Sequence, residues 1–187
     1  MIETPRLLLR KPILDDFEPH AAMWAEPEVY RHISGSRRSR EDMWQRFLQA
    51  HGTWHFFGFG YFSVIEKASG RYLGMTGFQD AMRDIEPSLV GSLEAGWVFA
   101  SHAHGRGIAF EAGQAAFDWA RGMHPGRRVT AIIAPENTAS IRIAQKLGLE
   151  AGPDVTYHNS VVTLFEGWLG ETDTPARHSN GGAVAGA

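Results

Sequence analysis

Two closely spaced glycines and an arginine stand where a strand-like segment gives way to a helix-like one. The stretch ASHAHGRGIAFEA, residues 100–112, contains Gly105, Arg106 and Gly107 directly before Ile108. Glycine allows close approach to the backbone, and a helix N-terminus offers unpaired N–H groups and the positive end of the helix dipole. This spacing predicts binding of an anion such as a diphosphate, with the arginine adding charge at the rim. A tight turn that only joins strand to helix is the alternative that the local sequence leaves open.

The elements that must hold this loop follow from the hydrophobic pattern of the chain. Segments rich in aromatic and branched residues predict strands, and apolar residues three or four positions apart behind a capping residue predict helices. The predicted order is a strand, two helices, three antiparallel strands, the loop, a helix, a strand, a helix and a last strand. This order predicts an α/β or α+β sheet domain, with the loop between a strand at residues 93–99 and a helix at residues 108–121.

Length and composition predict one domain with an additional tail. The chain has 187 residues, 43% of them hydrophobic, which is enough for a core, and we expect this domain over residues 1–169. Residues 170–187 are small and polar without periodicity, which predicts a flexible tail. The sequence contains no cysteine, so it excludes disulfides, thiolate zinc sites and a cysteine nucleophile, and it suits a reducing cytoplasm.

Charge and hydropathy limit the expected partners. The net charge of -3 gives no basic field for nucleic acid, and the cluster GSRRSRED, residues 35–42, is expected to be a solvated loop. The first residues are charged, unlike a signal peptide, and no later apolar run approaches the length that crosses a bilayer. We therefore expect a cytoplasmic protein and predict neither a membrane nor a nucleic-acid partner.

Other ligands of the loop can be tested against its sequence. A P-loop needs Lys and then Ser or Thr after its last glycine, whereas Gly107 precedes Ile108. A dinucleotide fingerprint needs a third small residue where this chain has Phe110, so a dinucleotide-binding oxidoreductase stays an alternative that this departure disfavours. No metal site is predicted, because His102 and His104 would project to opposite sides of an extended loop and no cysteine accompanies them.

The segment HGRGIA, residues 104–109, resembles the Q/R-x-x-G-x-G/A loop of the GNAT N-acetyltransferase superfamily, which cradles the pyrophosphate of acetyl-coenzyme A. His104 departs from the usual Gln or Arg. The surrounding LEAGWVFASHAHGRGIAFEAGQAAFDWA and RVTAIIAPENTASIRIAQKLGL are similar to the RimJ/RimL-type branch, as are IETPRLLLRKP and GFGYFSVIEKASGRYLGMTGF. The resemblance covers residues 2–168. It implies a central mixed, mostly antiparallel sheet flanked by helices, with a splayed strand pair and a pyrophosphate loop before the third main helix.

This resemblance also implies an activity and its ligands. The expected enzyme transfers an acetyl group from acetyl-CoA to a primary amine by direct attack in a ternary complex. The acceptor would be a protein N-terminus or a small-molecule amine, and a homodimer could form through the late strand SVVTLFEGW. The implied cofactor-binding residues are Trp97, Val98, Phe99, His104, Gly105, Arg106, Gly107, Ile108, Ala109, Asn137 and Ser140.

The resemblance further assigns catalytic candidates. Glu94 is the expected base, directly or through water, because it lies on the strand that leads to the loop, where the branch often has an acid. Its alternative is a solvated or salt-bridged carboxylate. The N–H of Val98 would face the thioester oxygen. Ser140 would be the acid or the hydrogen-bond donor to the thiol, and its alternative is a hydroxyl bonded back to its own helix. Asn137 could equally be a helix N-cap.

Two features leave the activity and the acceptor open. Many GNAT enzymes protonate the leaving thiolate with a tyrosine, but Ala144 occupies the aligned position, so a non-catalytic module that binds CoA or another nucleotide stays an alternative. The aromatic residues expected on the acceptor side could also be core residues. They are Trp24, Tyr30, Trp54, Phe56, Phe57, Phe78 and Tyr157.

Overall fold

One sheet of eight strands runs through the part of the chain that the structure, a computed structural model, describes: residues 1–31, 33 and 35–170. The strands are β1 Ile2–Glu3, β2 Leu7–Arg10, β3 Tyr61–Glu66, β4 Tyr72–Gln79, β5 Leu93–Phe99, β6 Arg128–Ile133, β7 Glu150–Tyr157 and β8 Ser160–Trp168. The helices are α1 Phe17–Trp24, α2 Pro27–Tyr30, α3 Arg40–Phe57, α4 Ile108–Met123 and α5 Thr138–Lys146. Short 3-10 helices precede α1 at Leu14–Asp16 and follow β5 at Ser101–Ala103.

The strand order across the sheet is β1-β2-β3-β4-β5-β6-β8-β7, and only β5 and β6 run parallel. Their pairing is confined to Leu93 with Val129 and Glu94 with Thr130, after which the two strands separate. The predicted mixed, mostly antiparallel sheet with a splayed strand pair is therefore confirmed. The opening between β5 and β6, called the sheet gap below, begins beyond Glu94.

Helices cover both faces of the sheet. The face towards α4 and α5 carries the main core, in which Phe62, Leu73 and Phe78 pack with Ala112 and Phe117 of α4. On the other face, α1 and α3 bury a second cluster that includes Phe17, Met43 and Phe47. Burial of apolar surface on both faces fixes the sheet between two helical layers. The sheet gap therefore opens between two differently lined faces.

The C-terminal part differs from the prediction at two strands. Strand β7 is missing from the predicted order because EAGPDVTY contains Gly152 and Pro153, which disfavour a strand; it forms at the sheet edge with an irregular register, where such residues are tolerated. Strand β8 pairs with β6 on one side and β7 on the other, so the expected dimer pairing through β8 has no free edge. Of the predicted flexible tail, residues 170–187, all but Gly170 lie outside the described residues.

His20 gives the stability of this fold a dependence on pH. Its side chain is 2% exposed, beside the Tyr72 hydroxyl at 3.4 Å from Nδ1 and the Phe47 ring. Burial lowers the pKa of His20 to about 4; Asp16 opposes this shift and Arg46 adds to it. Below the ordinary value of 6.5 the unfolded chain binds a proton that the folded chain refuses, so this contribution to stability is complete above pH 6.5 and decreases as pH falls towards 4.

We expect a His20→Leu variant to lose less stability than the wild type on acidification. Between pH 7 and pH 5 the wild-type free energy of unfolding should fall by about 2 kcal/mol more than that of the variant, from 1.36 kcal/mol per pH unit over the interval below pH 6.5. Urea denaturation of both proteins at the two pH values measures this. Equal losses in the two proteins would show that His20 is not the responsible group.

Candidate functional site

The loop before α4 presents backbone donors at a helix N-terminus. Gly105 has φ 70° and Gly107 has φ 73°, a left-handed conformation that glycine adopts without strain. No described residue accepts a hydrogen bond from the N–H groups of residues 105–109. Together with the positive end of the α4 dipole, these N–H groups are suited to bind an anion. Gly105, Gly107, Ile108 and Ala109 therefore lie together where the sequence predicted them; we call residues 104–109 the glycine loop.

Ion pairs hold the glycine loop in shape from outside. Arg6 donates to the carbonyl oxygen of Arg106 at 2.9 Å and to the Glu111 carboxylate at 2.6 Å. The Arg106 side chain pairs with Glu66 of β3. Arg106 was expected to add charge at the rim of an anion site, and its guanidinium is instead partly neutralised by Glu66. The loop's own backbone thus remains as the main donor to a ligand.

The backbone of β5 leaves some donors unpaired along the sheet gap. Ala100 N–H donates to Leu73 O at 2.9 Å, towards β4. Because N–H directions alternate along a strand, the Val98 N–H also faces β4, whereas those of Trp97 and Phe99 face the sheet gap. The prediction that the Val98 N–H faces the thioester oxygen is therefore wrong, because this N–H points to β4. His104 is placed at the end of the gap, with Nε2 2.8 Å from Phe99 O.

Trp97 and Ser140 face each other between β5 and α5. Trp97 Nε1–H donates to Ser140 Oγ at 3.2 Å. Asn137 Oδ1 accepts from the Ser140 backbone N–H at 3.1 Å, so Asn137 caps α5. No described residue accepts the Ser140 hydroxyl hydrogen, which leaves it available to a ligand. Ala144 is completely buried in the main core.

Glu94 lies on the opposite face, in a buried ion pair. Oε2 accepts from Arg83 Nε at 2.6 Å, and Oε1 accepts from Arg83 Nη2 at 2.5 Å and from Gln79 Nε2 at 2.9 Å. Arg83 also donates to the Tyr157 hydroxyl at 3.0 Å. Burial lowers the pKa of Arg83, but the hydrogen bond and charge of Glu94 outweigh burial and raise that pKa above its ordinary value. The salt-bridged alternative for Glu94 is thus the geometry found, and Oε2 keeps one lone pair free.

Tyr61 is a site residue that the sequence did not indicate. It pairs with Gly77 of β4, which in turn pairs with Gly96 of β5. A Cβ added to Gly96 would lie 2.1 Å from the Tyr61 hydroxyl oxygen, so the Tyr61 side chain extends from β3 past β4 and ends over Gly96. The alignment of Tyr61, Gly77 and Gly96 is visible only from the strand register. Glycines within apolar strands are, however, a sequence signal that another group packs closely against the strand.

The aromatic residues expected on the acceptor side divide into core and surface. Phe78, Trp54 and Trp24 are buried in the two core clusters. Phe56 and Phe57 are exposed, by 79% and 49%. Five of the seven therefore lie in the core clusters or on the exposed end of α3. Tyr157 differs, since its ring contacts the Arg83 guanidinium beside Glu94.

Neither a metal site nor a membrane-spanning helix is found in the described part of the chain. Neither His102 with His104 nor any other group of three or more His, Asp or Glu side chains there is arranged to hold a metal ion. None of the described helices has the length and apolar character that a membrane crossing needs.

Comparison with known proteins decides which family has this arrangement. Residues 6–150 match the model of a family described as acetyltransferase (GNAT) domain, and this range includes the glycine loop, the sheet gap and Ser140. The chain belongs to the GNAT acetyltransferase family. It is an acyltransferase that uses acetyl-CoA, and the dinucleotide oxidoreductase alternative is wrong. The free N–H groups of the glycine loop fit a pyrophosphate, and the N–H groups facing the sheet gap fit an amide-bearing arm.

Other GNAT proteins are similar over most of their length. A Bacillus licheniformis protein named uncharacterized N-acetyltransferase p20 is 29% identical over 148 residues, which are 79% of this chain and 80% of that protein. A structure described as a GnaT-family acetyltransferase from Bordetella pertussis has 29% identity and a TM-score of 0.78, covering 88% of this chain and 97% of its own. A ribosomal-protein-S5-alanine acetyltransferase from Vibrio fischeri, at 20% identity and TM-score 0.69 over 89% of this chain and 94% of its own, shares the fold alone.

Proposed function

We propose that this GNAT acetyltransferase transfers the acetyl group of acetyl-CoA to a primary amine by direct attack in a ternary complex. The observation that carries the proposal is the sheet gap, which leads from the donors of the glycine loop to a face lined by Glu94 and Tyr61. Residues 104–109, Trp97, Val98, Phe99, Asn137 and Ser140 are the proposed contacts of the donor substrate. Acetyl-CoA supplies the activated acetyl group.

The proposed chemistry needs one proton to leave the amine and one to reach the sulfur. The amine nitrogen forms a bond to the acetyl carbon, the carbon–sulfur bond breaks, and the thiolate is protonated. The Trp97 N–H, which faces the sheet gap, is suited to stabilise the oxyanion on the acetyl oxygen. The free hydroxyl hydrogen of Ser140 is suited to the departing sulfur. Ser140 and Glu94 lie on opposite faces of β5. The sulfur and the amine are therefore expected to be contacted from different faces of the sheet.

Glu94 is the proposed base, acting through water. Arg83 and Gln79 occupy both lone pairs of Oε1, and Arg83 occupies one of Oε2. The remaining lone pair of Oε2 supports a water-mediated role, since a water bound there would accept the amine proton. Arg83 keeps the carboxylate fixed while this proton moves.

For the acceptor, we propose a protein N-terminal amine or a small-molecule amine, and for the branch the RimJ/RimL type. The sequence motifs of residues 2–168 support this branch, and the fold shared with the Vibrio fischeri protein is compatible with it. A cytoplasmic location and a homodimer belong to the same proposal. A homodimer would have to use a surface other than the paired edges of β8.

A thiol-release assay with acetyl-CoA tests the activity. The acceptor panel contains peptides with N-terminal alanine or serine, amino acids and polyamines. Thiol release that depends on one amine class supports the proposal. If acetyl-CoA raises the melting temperature but no member of the panel is acetylated, the result contradicts the proposed acceptor classes and favours a binding module.

A Ser140→Ala variant should lower kcat about 10-fold with little change in KM for acetyl-CoA, because one hydrogen bond to a developing thiolate is lost. Thr138→Ala, an exposed hydroxyl in the first turn of the same helix, is the matched control and should keep wild-type turnover. Unchanged kcat in Ser140→Ala at saturating substrates would remove Ser140 from the mechanism.

A further inference from the structure

One row of residues crosses the centre of the sheet on the face that α1 and α3 cover. Tyr61, Gly77 and Gly96 stand beside one another on β3, β4 and β5. Gly96 has no side chain, and the Tyr61 hydroxyl and ring atoms occupy the space that a Cβ of residue 96 would need. The hydroxyl is thereby carried two strands away from its own backbone, to the strand that borders the sheet gap.

The hydroxyl reaches β5 between two residues of the proposed site. Side chains alternate along β5, so Glu94, Gly96 and Val98 share the face on which Tyr61 lies. Gly96 precedes Trp97, whose N–H faces the sheet gap. The Tyr61 oxygen is therefore next to the backbone position at which we place the acetyl group, on the side from which Glu94 acts.

No described residue forms a hydrogen bond with this hydroxyl, although the Tyr61 side chain is only partly exposed. The ring alone would satisfy the packing on Gly96, so the hydroxyl has no structural function in that contact. Burial raises the pKa of Tyr61, and the charge of Glu94 raises it further, while Arg83 and Arg46 oppose the shift. The group therefore stays a neutral O–H, with its oxygen free to accept.

We propose that Tyr61 is a further catalytic residue, whose hydroxyl oxygen accepts a hydrogen bond from the N–H of the attacking amine. This inference rests on the proposed acetyl transfer. As the nitrogen bonds to the acetyl carbon it gains positive charge, and its N–H becomes a stronger donor. The hydrogen bond is then stronger in the transition state than in the ground state, which is the condition for catalysis. Tyr61 transfers no proton itself; that proton leaves towards the water held by Glu94.

Tyr61→Phe isolates the hydroxyl, because the phenylalanine ring still packs on Gly96. We expect kcat/KM for the amine to fall about 10- to 100-fold, from the loss of one hydrogen bond to a charged group. The melting temperature and the affinity for acetyl-CoA should be unchanged. Tyr72→Phe is the matched control, since the Tyr72 hydroxyl lies beside His20, and it should keep wild-type kcat/KM.

Three outcomes would overturn the role of Tyr61. They are wild-type kcat/KM in Tyr61→Phe, a loss of acetyl-CoA affinity in that variant, and the disappearance of an ionisation from its pH profile, which would indicate proton transfer. Gly96→Ala gives an independent test, because its new Cβ must displace the hydroxyl and should lower kcat/KM for the amine. A wild-type enzyme that acetylates no amine would instead refute the proposed function and would be recognised before any variant is compared.

Discussion

A Gly107→Val variant is expected to lose affinity for acetyl-CoA by about 100-fold or more. Gly107 has φ 73°, where a non-glycine residue costs about 1–2 kcal/mol and a β-branched residue is a steric outlier. We expect the backbone of the variant to change conformation to relieve this strain, which turns the N–H groups of residues 105–109 away from the ligand. Losing two hydrogen bonds to a charged group, each worth about 1.5–3 kcal/mol, gives a reduction of at least this size.

Gly126→Val is the matched control for this experiment. Gly126 has φ 71° and open space around its Cβ position, so the backbone strain is similar, but it lies in the turn before β6. Both variants should lose similar stability in urea denaturation. Only Gly107→Val should lose acetyl-CoA affinity in calorimetric titration. Wild-type affinity in Gly107→Val would show that the glycine loop does not hold the pyrophosphate.

An Arg83→Gln variant is expected to be destabilised by about 3 kcal/mol or more and to lose turnover. The Glu94 side chain is 6% exposed and that of Arg83 19% exposed, so removal of the arginine leaves a buried carboxylate without its charge partner. The water site on Oε2 also loses its orientation. Urea denaturation measures the first effect, and kcat/KM for the amine measures the second.

Two further variants distinguish the effect of an unpaired buried charge on stability from the proposed role of Glu94 as base. In Arg83→Gln/Glu94→Gln neither charge of this pair remains, so most of the stability should return while turnover stays low. Arg121→Gln breaks the exposed pair with Asp118 and should change stability by only about 0.5 kcal/mol. Recovery of turnover in the double variant would exclude Glu94 as the base.

The parts of the site that depend on local sequence were predictable. Gly105 and Gly107 before a helix signal a left-handed turn and free N–H groups, and Asn137 followed by Ser140 signals a capped helix start. Both signals operate over a few neighbouring residues and are independent of strand order. The glycine loop and the cap of α5 accordingly lie where the sequence predicted them.

Features that depend on how the strands pair could not be predicted from the local sequence. The N–H direction at Val98 is set by its pairing with β4, and one residue of register reverses it. Tyr61 and Gly96 are distant in sequence, and they lie close together because both are paired with Gly77 of β4. The partner of Glu94, Arg83, comes from an irregular segment without periodicity. Strand β7 contains Gly152 and Pro153, and its edge position is known only from the complete sheet order.

If acetyl-CoA occupies the opening between β5 and β6 as proposed, the stability of the folded protein depends on the concentration of acetyl-CoA. A donor substrate that occupies the opening binds the folded chain and not the unfolded one, so it adds RT ln(1 + [L]/Kd) to the free energy of unfolding. At a hundredfold excess over Kd this amounts to about 2.7 kcal/mol. Resistance to heat and to proteolysis then rises and falls with the cell's supply of acetyl-CoA.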